Sequence, residues 1–240
     1  MTDFNKLLPD LPEQGYAVLD FDNTCIINDI QEAVLSYLCE NSLLKHLDGQ
    51  ETLQKYYQLD NEHDAYEFAI TILDGFTIDE LKEIVKKVIL AEGSEIGKRE
   101  LFGVTINHGL KINQSVASLI DFLDKKGYSL YLVSASSKFV IEVAAKVFFP
   151  NYNFTSIGIE NVIKDGVLTK DLVYPISTCE GKVDNIKNHI SKNDKPTVAV
   201  GDSMNDAFML EYSKFKVVVD RNNQLTDLAR KNNWLILPRQ

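Results

Sequence analysis

Apolar positions along this chain fall into two rhythms. Short unbroken runs end at polar residues: Tyr16–Leu19, Tyr128–Val133, Phe154–Ile159, Thr197–Val200, Phe215–Val219 and Trp234–Leu237. Runs of this kind read as strands buried on both faces. Between them the spacing changes to that of helices. Val116, Leu119, Ile120 and Leu123 share one helical face, with Gly127 placed to end the helix. Lys138 to Phe148 is a second helix, halted by Pro150. Gly181–Ile190, Asn205–Tyr212 and Leu225–Lys231 are further helices. Strands alternating with helices predict an α/β fold with a parallel sheet covered on both faces. Val162–Leu168 breaks the rhythm as a β-hairpin around Asp165-Gly166.

The stretch after the first strand is different. Ile30, Ala33, Val34, Tyr37 and Leu38 follow helical spacing within 26–47. Leu53–Leu59 and Asp64–Leu73 read as helical, and Asp74-Gly75 as a stop. Thr77-Ile78-Asp79-Glu80 has the form of a capping box, opening a helix with Leu81, Ile84, Val85 and Val88 on one face. The expected organisation is a core from residues 1–27 and 110–240, with a mainly helical cap inserted at 28–109. Hinges are expected near Ile27 and Gly109, about which the cap opens and closes.

The 240 residues are 45% hydrophobic and 25% charged, enough to bury a sizeable core. A formal net charge of −10 argues against nucleic acid or an anionic membrane as partner. It leaves room for a small anionic ligand, because local cations can outweigh the global field. Cys25, Cys39 and Cys179 form no paired spacing and are expected to be buried free thiols. Met1–Glu13 carries no basic, apolar leader, and no span long enough for a membrane is visible, so a cytoplasmic protein is expected. Oligomeric state is not legible.

Three of the apolar runs end in chemistry-bearing residues. Asp20 and Asp22 follow the first, Ser134 and Ser136 the second, and Gly201-Asp202-Ser203-Met204-Asn205-Asp206 another. In parallel sheets ligands collect at these carboxyl ends. Asp20 and Asp22 are placed to share a face, and two such charges stay ionised only beside a cation or a partner. Hard oxygen ligands suit Mg²⁺, and a carboxylate held there can attack phosphorus. Lys182 opens a helix, where the macrodipole disfavours a cation.

The order Asp20-Phe21-Asp22-Asn23-Thr24, Ser134, Lys182, then Gly201-Asp202 through Asp206 resembles the motif series of the haloacid dehalogenase superfamily, over residues 16 to 210. The resemblance implies a Rossmann-like core with an inserted cap. It also implies a Mg²⁺-dependent phosphomonoesterase working through an aspartyl-phosphate on a small-molecule phosphate ester. Asp20 would be the nucleophile and Asp22 the general acid and base. Ser134 and Lys182 would bind the phosphoryl oxygens. Asp20, Asp202 and the backbone carbonyl of Asp22 would hold Mg²⁺, with Asp206 supporting the metal. The helical insert and the placing of Lys182 resemble the phosphoserine phosphatase branch. Asp22-Asn23-Thr24 and Asn28 to Ala33 are similar to phosphorylcholine phosphatase-like members. An amine-bearing ester such as phosphoserine, phosphorylcholine or phosphoethanolamine is therefore expected, with Glu32 and Tyr37 of the cap at the substrate. A phosphomutase and a non-catalytic Mg²⁺- and phosphate-binding regulator remain as alternatives.

Overall fold

A computed structural model describes residues 3–240. A short helix α1 (Phe4–Leu7) leads into β1 (Tyr16–Leu19), a single wide turn over Phe21–Cys25, and β2 (Ile26–Ile27). Helices α2 (Ile30–Glu40), α3 (Gly49–Tyr57), α4 (Glu62–Thr71) and α5 (Ile78–Glu92) follow. Then come β3 (Gly97–Leu101), β4 (Val104–His108) and β5 (Lys111–Ile112). The rest alternates: α6 (Gln114–Lys125), β6 (Ser129–Ser137), α7 (Lys138–Phe148), β7 (Phe154–Ile159), β8 (Asn161–Lys164), β9 (Val167–Leu172) and α8 (Glu180–His189). It closes with β10 (Val198–Gly201), α9 (Ala207–Tyr212), β11 (Phe215–Asp220), α10 (Gln224–Lys231) and β12 (Leu235–Pro238).

Six strands form one parallel sheet in the order β12-β11-β10-β1-β6-β7. The chain runs outward from β1 through β6 and β7, then returns to the other side of β1 for β10 to β12. The order therefore reverses at β1, and the crevice beyond its carboxyl end is where such sheets bind ligands. Val18, Leu19, Val200 and Val217 are completely buried, as strands covered on both faces require.

The helices expected between residues 28 and 92 are present. Thr77 and Glu80 make the reciprocal capping box, which satisfies two of the unpaired amides that begin α5. The hairpin β3–β4 was not expected there. It turns at Phe102 (φ 50°) and Gly103 (φ 76°), both left-handed as a tight two-residue turn requires. Its strands are mostly polar and half exposed, so no apolar run marked them. The Asp165-Gly166 hairpin forms as expected, with both turn residues left-handed.

The two connections to this insert lie side by side. β2 pairs antiparallel with β5, and Asn28 Nδ2 donates to the carbonyls of His108 and Gly109 at 3.0 and 2.9 Å. Other contacts tie the insert down elsewhere. Gly75 N donates to Leu168 O and Leu168 N to Phe76 O, each at 2.8 Å, so the β8–β9 hairpin clasps the α4–α5 turn. Leu81, Val85 and Val88 of α5 belong to the same apolar cluster as Val140, Ile141 and Ala144 of α7. Cys25 and Cys39 are buried free thiols, as expected. Cys179 is partly exposed, because it sits in the turn that opens α8 rather than on an apolar face.

Candidate active site

The carboxyl ends of β1, β6 and β10 deliver the acids and hydroxyls to one crevice, as the apolar runs imply. Asp20 N donates to Val200 O at 2.9 Å, which continues the β1–β10 pairing one residue beyond the strand. The chain then curls through Asn23, left-handed at φ 59°, a conformation that asparagine tolerates. That curl separates Asp20 from Asp22. Asp20 faces β10 and Lys182. Asp22 faces β6.

Lys182 is completely buried. Its Nζ donates to Asp20 Oδ1 at 2.8 Å and to Asp206 Oδ1 at 2.6 Å. Burial alone would lower its pKa, but the two carboxylates outweigh that and raise it, so the ammonium is firmly charged. Thr24 Oγ1 lies 3.1 Å from Asp20 Oδ2 and 2.9 Å from Asp202 Oδ1. It has one proton, so it serves one carboxylate at a time. Asp206 Oδ2 accepts the amides of Asp202 and Ser203 at 3.0 and 3.2 Å. A side chain at Gly201 would bring its Cβ within 2.5 Å of Asp206 Cβ, so the residue must be glycine.

Asp22 is held from the other side. Ile30 N donates to its Oδ1 at 2.7 Å. Ser136 Oγ donates to its Oδ2 at 2.7 Å, and Ser134 Oγ reaches the same atom at 3.3 Å. The β6–β7 register slips between Val133 and Ser137. Such a bulge re-aims side chains, and the two serines, two residues apart, point to one face. Burial pushes the Asp22 carboxyl up to about 6, against the opposing bonds from Ser136, Ile30 and Ser134.

One carboxylate oxygen from each of Asp20, Asp202 and Asp206 lies within 4.8 Å of the others. Asp22 does not belong to that set: its carboxylate is turned to the serines, so only its carbonyl remains for the metal role the motif resemblance gave it. Burial raises Asp20 well above the usual carboxylate range; Lys182 opposes this, while Asp206, Asp202 and Asp22 add to it. Asp202 is raised by burial and Asp206, against Arg221 and Thr24. Lys182 pairs with Asp20 and Asp206 and Arg221 with Asp202, so the four acids Asp20, Asp22, Asp202 and Asp206 have two cations among their contacts. The all-oxygen donor set and the shortfall of positive charge fit a hard divalent cation.

A cavity of about 110 Å³ opens over these groups. Asp29, Glu62 and Tyr66 form its wall on the inserted side, and Arg221 closes the core side. Glu32 stands one turn along α2 from Asp29 and accepts from Tyr56 Oη at 3.1 Å. Tyr37 is not at the site. It packs into the insert beside Asn41, Leu43 and Phe76, because five residues along a helix turn it well away from Glu32. Sequence reasoning gave no role to Thr24, Ser136 or Arg221. Arg221 could have been found by the rule that found Asp20: it stands just past the end of an apolar run.

Residues 180–231, which carry Lys182, Asp202 and Asp206, match the model of the haloacid dehalogenase-like hydrolase family. No curated protein matches the sequence. Solved structures share the fold at low identity. One is a conserved functionally unknown protein from Anaerococcus prevotii, at 20% identity and TM-score 0.74, covering 97% of this chain and 89% of that one. Another is a probable phosphoserine phosphatase from Vibrio cholerae, at 17% identity and TM-score 0.60, covering 98% and 67%. A third is a phospho-aspartyl intermediate analogue of phosphoserine phosphatase, at 16% identity and TM-score 0.57, covering 95% of each chain. The family match over residues 180–231, the motif order and the fold together liken the chain to the haloacid dehalogenase-like hydrolases. Its architecture is the one it shares with the phosphoserine phosphatases. None of the described helices is long and apolar enough to cross a membrane.

Proposed function

We propose that the chain is a metal-dependent phosphomonoesterase in which Asp20 attacks phosphorus and Asp22 moves the proton. The observation that carries this reading is the division between the two acids. Asp20 is paired with a buried, charged Lys182, while Asp22 is held by hydroxyls and tuned to about 6. A nucleophile must be ionised, and an acid–base group works best near ambient pH.

The Asp20 carboxylate forms a bond to phosphorus as the ester oxygen departs with a proton from Asp22. Asp22 then takes a proton from water, whose oxygen attacks the aspartyl-phosphate and releases phosphate and Asp20. Lys182 offsets negative charge between Asp20 and the incoming phosphate, and Ser134 lies where a phosphoryl oxygen can be bound. Asp20 and Asp202 would hold the divalent ion, Mg²⁺ by its hard oxygen ligands, together with the Asp22 carbonyl and with Asp206 behind them. The ion supplies further neutralisation of the phosphoryl oxygens. The core is assigned to residues 1–27 and 110–240 and the cap to 28–109.

The substrate is assigned as a small amine-bearing phosphate ester. Asp29, Glu62 and Tyr66 on the cavity wall, with Glu32 adjacent, offer an ammonium group carboxylates and an aromatic face. Phosphate release in Mg²⁺ from phosphoserine, phosphorylcholine, phosphoethanolamine, sugar phosphates and an aryl phosphate tests both levels. Preference for one amine-bearing ester supports the whole reading, and activity on the aryl phosphate alone supports only the chemistry. No release from any ester, with Asp20→Asn as control, would remove it.

A further inference from the structure

Arg221 is the one cationic side chain on the wall of the cavity among the described residues. It follows β11 directly, and its backbone is fixed by neighbours: Arg221 N donates to Thr226 Oγ1 at 3.3 Å. Its Nη1 donates to Asp202 Oδ2 at 2.6 Å, while Thr24 serves Asp202 Oδ1. The donor to Oδ2 thus carries a full charge, while the hydroxyl near Oδ1 is shared with Asp20. Guanidinium carries five N–H groups, and this contact uses one, on a side chain that lines the cavity.

The position of Asp202 does not depend on Arg221. Asn223 Nδ2 donates to the Asp202 carbonyl at 2.8 Å, Asp206 accepts its amide, and Thr24 holds its Oδ1. Removing the guanidinium therefore leaves the carboxylate in place with one oxygen bare. An incoming divalent ion that ligates Asp202 meets a carboxylate already paired with the guanidinium, and the two cations repel at close range.

We propose that Arg221 is a resident counter-cation of Asp202 that competes with the divalent ion, holding the site's affinity below that of the bare acid cluster. This positioning role rests on the divalent site proposed above. In the metal-free protein it neutralises part of the acid charge that Lys182 alone cannot. When an ion takes Asp202, the freed donors of Arg221 turn to the cavity.

Calorimetric titration of the full chain with Mn²⁺ and Mg²⁺, without substrate, tests this in wild type, Arg221→Gln and Arg221→Lys. The expected result is binding on the order of tenfold tighter in Arg221→Gln. Arg221→Lys, which keeps the charge, should stay within about threefold of wild type, since a charge change is what the repulsion reads. The metal-linked rise in unfolding midpoint should be larger in Arg221→Gln than in wild type and wild-type-like in Arg221→Lys. Equal or weaker binding by Arg221→Gln, with wild type binding normally, overturns the competition and leaves the phosphatase reading standing. A large change in Arg221→Lys overturns it too, which keeps the idea testable if Arg221→Gln does not fold. Absence of binding by wild type removes the divalent site and this role together.

Discussion

The hydroxyl of Ser136 lies 2.7 Å from Oδ2 of Asp22, closer than that of Ser134, which reaches the same oxygen at 3.3 Å. The residue that the motif series points to is therefore the weaker of the two partners in this arrangement. Under the proposed mechanism Ser134 binds a phosphoryl oxygen, while Ser136 is the nearer partner of the Asp22 carboxylate. Ser136→Ala removes a bond that favours the carboxylate, so the Asp22 pKa rises further above 6. The alkaline fall in kcat/KM for an alkyl phosphate should move up by roughly half to one pH unit, about 1 kcal/mol. A pH–rate profile unchanged from wild type would break this link.

Asp20→Asn keeps the shape of the side chain and removes the carboxylate proposed to attack phosphorus. Turnover should fall by about three orders of magnitude or more. Far-ultraviolet circular dichroism should be unchanged. Retained phosphate release would show that another group attacks.

Asp22→Asn separates proton transfer from attack. An ester with a poor alcohol leaving group should slow by roughly 10²- to 10⁴-fold, the usual contribution of a general acid. An activated aryl phosphate should slow far less in its first step, visible as a preserved burst. Equal losses on both would deny Asp22 the acid role.

Lys182→Met leaves Asp20 and Asp206 facing each other without their shared cation in a fully buried site. Breaking a buried pair from one side costs about 3–5 kcal/mol. Chemical denaturation at pH 7 should show that loss, and added Mg²⁺ should recover part of it. A variant as stable as wild type would mean that the two acids are not both ionised.

Stability of the metal-free protein should fall as pH rises through the window between the unfolded and folded Asp22 values, about 4 to 6. Its carboxyl is pushed up to about 6, so the folded state binds the extra proton there and gains from acidification. The contribution is on the order of 3 kcal/mol, present at the acidic end and lost by pH 7. Asp20, also raised by burial, acts in the same direction. Divalent cation should shrink the difference. Thermal melts between pH 4 and 8 with EDTA, then with Mg²⁺, read this directly; greater stability at pH 7 than at pH 5 in EDTA would contradict it.

Much of this arrangement is local in origin and so was legible in the chain. A buried parallel strand must be an unbroken apolar run, and its carboxyl end is where the run stops, so Asp20, Asp202 and the serines could be placed from pattern alone. Thr77 and Glu80 declared the start of α5 because a capping box is built from neighbours. Tertiary structure decided what depends on direction and register. The left-handed turn at Asn23 sends Asp20 and Asp22 to different partners, although alternation along a strand puts them on one face. A slip in the β6–β7 register gives Ser136 to Asp22. Tyr37 follows the helical spacing of Ile30, Ala33 and Val34 and points into packing, since periodicity fixes a face and not what lies opposite it. Arg221 meets Asp202 only because β11 lies beside β10, a neighbour relation between distant segments that no local preference encodes.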